Sequence, residues 1–95
     1  MLESNDVGLT GAMLRAARAL TGVSAAQLAA ESGVGERTIL RAESHNGRVA
    51  MRSENARAIL GVFARKGVTF IAEDPNGGSG LRWTEATGVL PVEPS

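Results

Sequence analysis

The sequence predicts a mainly α fold of four to five short helices followed by a C-terminal β-hairpin. Three observations predict it. From Leu9 to Phe63 the apolar residues recur with helical spacing. Along that stretch Ser, Thr and Gly stand where short helices should start and stop. After Gly67 the pattern changes to two runs of β-formers, VTFIA and LRWT, on either side of EDPNGGSG. The organisation expected from these breaks is a flexible arm over 1–8, a helical domain over 9–67, a hairpin over 68–84 and a flexible tail over 85–95.

The first helix runs from a Thr10 cap to about Leu20, with Met13, Leu14 and Ala17 inward, and Gly22 ends it. A second begins at about Ala25. There Ser24 and Gln27 form an S-x-x-Q capping box, in which each side chain satisfies a backbone donor left over at the helix start. Leu28 and Ala29 face inward, and Glu31 and Ser32 bring the helix to its end. Gly33 takes the left-handed turn that only a residue without Cβ adopts cheaply. Val34 plugs the corner. A third helix, from about 35 to 44, buries Ile39 and Ala42 and leaves Glu36, Arg37, Leu40 and Arg41 outside. Ser44 to Arg52 reads as a loop with an Asn-Gly turn signal. Ser53 caps a fourth helix whose inward face is Ala56, Ile59, Leu60 and Phe63, and which ends at Arg65 and Lys66 beside Gly67.

Two short helices joined by a tight glycine turn, over Val23 to Glu43, make a helix-turn-helix pattern, a device for laying a helix into the major groove of DNA. The stretch LRAARALTGVSAAQLAAESGVGERTILRAE resembles the Xre/Cro/lambda-repressor-like family of bacterial and phage DNA-binding proteins. The L-R-x-x-R of the first helix, Gly22, Ser24 and the later G-V-x-x-x-T-I-x-R-x-E carry the resemblance. It covers Leu9 to about Phe70, and a G-V-x-F-I, G-G and G-x-R series extends it weakly to Trp83.

The resemblance implies a lambda-repressor-like helix-turn-helix bundle with a hairpin appended. It further implies a sequence-specific regulator of transcription that binds double-stranded DNA as a homodimer and represses. In the family's docking geometry Glu36, Arg37 and Arg41 reach base edges. Arginine suits guanine, whose O6 and N7 accept its paired donors, and Glu36 suits the amino group of cytosine. Thr38 and the Gly35 amide stand where the family holds phosphate, at the positive end of a helix. Gln27, Arg48 and Arg52 are further candidates for phosphate. Arg18 and Glu43 match positions that often form a salt bridge. Two departures stand out: Ala25 replaces a customary glutamine, and Gly35 replaces a customary serine or threonine cap.

Composition sets the bounds. Ninety-five residues suit one modest domain. With no cysteine, a disulfide framework and a cysteine metal site are both excluded. No apolar run approaches the roughly 20 residues of a membrane span, and Glu3 and Asp6 stand where a signal peptide would carry cations. A cytoplasmic, nucleoid-associated chain without membrane contact is the expectation. The net charge is zero, but Thr10 to Lys66 carries nine positive residues against four negative, and the flanks carry one against six. A basic helical unit with acidic ends can still neutralise phosphate.

His45, the only histidine, has no nucleophile or second metal ligand beside it in sequence, so the expectation is no enzyme, no cofactor and no small-molecule ligand. NGGSG lacks the lysine and following helix of a phosphate loop and reads as a hairpin turn. An isolated hairpin is marginal in water. Phe70, Ile71, Leu81 and Trp83 are therefore expected to pack on the chain's own helices or on a second copy, and self-pairing would make a twofold dimer. A regulatory protein is a further candidate partner. The alternative function is a protein-interaction module, such as an antitoxin or antirepressor, on the same scaffold.

Overall fold

The computed structural model describes residues 8–86. Its elements are α1 (Gly11–Thr21), α2 (Ala25–Ser32), α3 (Glu36–Glu43), α4 (Ser53–Arg65), β1 (Val68–Ile71) and β2 (Gly80–Trp83). The chain is thus a small helical assembly of four helices among the described residues, closed by a two-stranded antiparallel hairpin. Of the expected arm only Gly8, and of the expected tail only Glu85 and Ala86, fall within the described residues.

Local chemistry sets most helix ends. The Thr10 hydroxyl accepts from the Met13 N–H at 3.1 Å, and Gly22 closes α1 at φ 72°. At α2 both halves of the capping box form: the Ser24 hydroxyl accepts from the Gln27 N–H and the Gln27 side chain accepts from the Ser24 N–H. Gly33 ends α2 at φ 79°, a conformation in which a Cβ would be strained. Ser53 is not the cap of α4. The Arg52 carbonyl accepts from the Ala56 N–H at 3.0 Å, which makes Arg52 the cap and Ser53 the first helical residue, with its side chain buried.

The core lies where the four helices meet. Leu14 and Ala17 come from α1, Leu28 from α2, Val34 from the turn, Ile39 from α3, and Ala56, Ile59, Val62 and Phe63 from α4. Each large aliphatic or aromatic side chain buried there contributes about 1.5–3 kcal/mol. Val62 takes the fully buried place expected for Leu60, which is half-buried at the edge of the same cluster. The stretch between α3 and α4 is anchored rather than loose. Val49 and Met51 are buried while Arg48, Ala50 and Arg52 are exposed, the period-two alternation of an extended chain. The Val49 N–H donates to the Leu9 carbonyl at 3.0 Å, and Thr10 and Arg48 form a bridge.

The hairpin pairs Val68 with Trp83, Thr69 with Arg82, Phe70 with Leu81 and Ile71 with Gly80. Its turn is held by the Asp74 carboxylate, which accepts from the Asn76 N–H at 2.8 Å. Residues directly opposite share a face. One face therefore carries Val68, Phe70, Leu81 and Trp83, and it turns toward the helices: Val68 is buried, and Phe70 and Leu81 pack against the core. The Phe63 and Phe70 ring centroids lie 6.1 Å apart.

Candidate nucleic-acid interface

Two sides of α3 do different work. Ile39, Ala42 and Glu43 are buried, while Glu36, Arg37, Leu40 and Arg41 are exposed. On a helix these four form one face, since Glu36 and Leu40, and Arg37 and Arg41, are four apart and Arg37 and Leu40 three apart, the spacings at which side chains neighbour one another. Arg37 and Arg41 stand one turn apart, about 6 Å along the axis. Among the described residues neither guanidinium has a hydrogen-bond or ion-pair partner. The N-cap, Gly35, supplies no side-chain hydrogen bond, so the first amide donors of α3 keep an open end.

The C-terminal end of α3 and the turn after it are held by three residues of α1. Arg18 of α1 forms a two-pronged pair with Glu43, Nε to Oε2 and Nη2 to Oε1, both at 2.7 Å. Its Nη1 also donates to the Val23 carbonyl at 3.2 Å, which ties the entry of α2 to the same group. The bonds to Glu43, reinforced by its charge, raise Arg18 above its ordinary value against the opposing pull of burial. Arg15, one turn earlier on α1, donates to the Glu43 and His45 carbonyls and to the Asn46 side-chain oxygen. The Glu43 carbonyl is among those a helix leaves unpaired at its end, where a cation also meets the negative end of the dipole. Gly11 completes the attachment. Its N–H donates to the Gly47 carbonyl at 2.8 Å, and a Cβ built on it would overlap the Ala42 and His45 carbonyl oxygens.

The structure brings Glu36, Arg37 and Arg41 to one exposed face and spreads the phosphate candidates around it. Gln27 is exposed on α2, with its amide oxygen already engaged by Ser24 and its amide nitrogen left to donate outward. Thr38 is half-buried in the first turn of α3, and Gly35 is exposed beside it. Arg48 and Arg52 project from the outward positions of the extended stretch. Ala25, where the resemblance expects glutamine, is buried and serves packing. His45 is exposed.

On the hairpin the four apolar candidates divide. Phe70 and Leu81 give their surface to the chain's own core, while Ile71 and Trp83 remain 37% and 39% exposed. A groove of about 510 Å³ opens between the start of α1 and the hairpin, lined by Leu9, Met13, Leu60, Phe70 and Ile71 among others.

Sequence reasoning did not single out Arg15 or Gly11 as supports, because both act through tertiary contacts with the end of α3. Val49 and Met51 were findable: their alternation with Arg48, Ala50 and Arg52 is written in the sequence. No helix of the described residues is long and apolar enough to cross a membrane. Set against models of known protein families and against curated proteins, the chain matches none.

Proposed function

We propose that the chain is a sequence-specific double-stranded DNA-binding regulator of transcription that acts as a homodimer and represses by occupying promoter DNA. In this reading α2, the Gly33–Gly35 turn and α3 form a helix-turn-helix of the lambda-repressor-like kind, and α3 enters the major groove. One observation carries it: Arg37 and Arg41, with Glu36, share an exposed face of a helix whose other side and far end are fixed. Charged donors without protein partners, held at one-turn spacing, match the paired acceptors on guanine edges. Gln27, Gly35, Thr38, Arg48 and Arg52 would hold phosphate around that helix. A dimer would set two such helices about one turn of DNA apart, on half-sites roughly 10 base pairs from centre to centre.

The zero net charge and the exposed Leu40 support a second reading, a protein-interaction module on the same scaffold. Selection from a random duplex library, followed by fluorescence anisotropy with wild type and with Arg37→Ala/Arg41→Ala, separates the two. Each paired arginine–guanine contact is worth about 1–3 kcal/mol of discrimination, so the double variant should lose about two orders of magnitude on the selected sequence. If no sequence is enriched, or if the double variant binds as tightly as wild type, the base-reading proposal is wrong.

A further inference from the structure

Leu40 is 49% exposed, more than Leu20, Ile71 or Trp83, the other exposed large apolar side chains among the described residues. It lies on the outer face of α3 between Arg37 and Arg41, while its neighbour Ile39 fills the core. Core packing therefore does not require a leucine at position 40, and its surroundings are charged. We propose that Leu40 is a specificity-determining residue that packs on the C5-methyl group of a thymine in the major groove. The inference rests on the DNA-binding reading and deepens it from guanine contacts to a mixed target sequence.

The chemistry follows from what the four outer side chains offer. Arg37 and Arg41 only donate, Glu36 in its charged form only accepts, and Leu40 does neither. On the major-groove edges of the bases the apolar feature is the thymine methyl. Placement narrows the target further. Along the axis Leu40 lies about 4.5 Å beyond Arg37 and about 1.5 Å before Arg41. Base pairs stack at about 3.4 Å, so the thymine should fall within one or two base pairs of a guanine read by either arginine.

Deoxyuridine is the probe, because it differs from thymidine by that methyl alone. Duplexes enriched from a random library by the wild-type protein are remade with each thymine in turn replaced by deoxyuridine, then titrated by anisotropy against wild type and Leu40→Ala. One thymine in each half-site should cost the wild type about fourfold on replacement, the effect of leaving one methyl unburied, and should cost Leu40→Ala nothing. Circular dichroism of Leu40→Ala should match wild type, since the truncated side chain is half in solvent. Enriched duplexes with the same deoxyuridine response in both proteins overturn this inference and leave DNA binding standing. Failure of the library to yield any enriched sequence overturns both. A Leu40→Ala protein that keeps the methyl response and loses self-association in light scattering assigns Leu40 to a protein contact instead, and also overturns it.

Discussion

Replacing Gly11 by alanine should destabilise the chain by about 2–3 kcal/mol, although alanine is favoured over glycine by about 1 kcal/mol inside helices. The added methyl has no room. It would overlap the Ala42 and His45 carbonyl oxygens and stand 3.0 Å from the His45 carbonyl carbon. These are backbone atoms at the end of α3 and in the turn after it, the His45 oxygen held by Arg15 and the turn followed by the stretch anchored at Val49, so no side chain can swing aside to relieve the overlap. Overfilling a packed site costs about 1–3 kcal/mol, and the Gly11 hydrogen bond to Gly47 would lengthen as the two segments part, adding about 1 kcal/mol. The small propensity gain at a first helical position offsets little of this.

Gly61, inside α4, is the matched control. A Cβ there meets only the tip of the Arg65 side chain, at 3.6 Å, so Gly61→Ala should stabilise by about 0.5–1 kcal/mol. Urea unfolding followed by circular dichroism, with thermal melts alongside, measures both. At about 4–8 °C per kcal/mol for a domain of this size, Gly11→Ala should melt on the order of 10 °C lower and Gly61→Ala a few degrees higher. A Gly11→Ala protein as stable as wild type would refute the close approach of α1 to the end of α3.

Two further outcomes concern the Arg18–Glu43 pair and the hairpin. Arg18→Ala leaves the Glu43 carboxylate, 7% exposed, without its partner. Breaking a fully buried pair costs about 3–5 kcal/mol, and with Arg18 itself 24% exposed the expected loss is about 2–3 kcal/mol by urea unfolding. Because Glu43 raises Arg18, the part of the pair's contribution linked to the Arg18 charge is present in full below the ordinary arginine value and is lost only in strong alkali. The difference between wild type and variant should therefore be the same at about pH 7 and about pH 9. On the hairpin, cutting the chain after Gly67 would remove the buried Val68 and open the core, whereas Ile71→Glu changes an exposed side chain. Light scattering should find a dimer for wild type and a shift toward monomer for Ile71→Glu. A monomeric wild type, or a variant that dimerises unchanged, removes the hairpin from the interface.

What was legible in the sequence is what neighbours in sequence decide. The Ser24–Gln27 box, the Gly33 turn and the burial of Ile39 and Ala42 each depend on residues within a few positions, and all appear as read. The hairpin followed from β-formers around Pro75 and Asn76, and its pairing register places Phe70 opposite Leu81. The start of α4 was misplaced by one residue because Ser53 looks like a cap, while its side chain is drawn into the core. Arg15 and Gly11 meet the end of α3 and the turn after it across about thirty or more residues of sequence, and no local pattern announces a guanidinium that will meet carbonyls so far along the chain. For the candidate site, the exposed face was legible from helical spacing, and the apparatus that orients it was not.

The attachment of α3 by its inner side and its C-terminal end has a consequence for how the protein can be changed. Among the described residues the side chains that fix this helix are its own Ile39, Ala42 and Glu43, met by Arg15, Arg18 and the apolar core. None belongs to Glu36, Arg37, Leu40 or Arg41. Substitutions at those four positions therefore fall in the class whose effect on stability stays within about 0.5 kcal/mol. As far as stability is concerned the outer face is open to engineering, since new side chains, and with them new binding preferences, can be tried there without first finding compensating changes in the core.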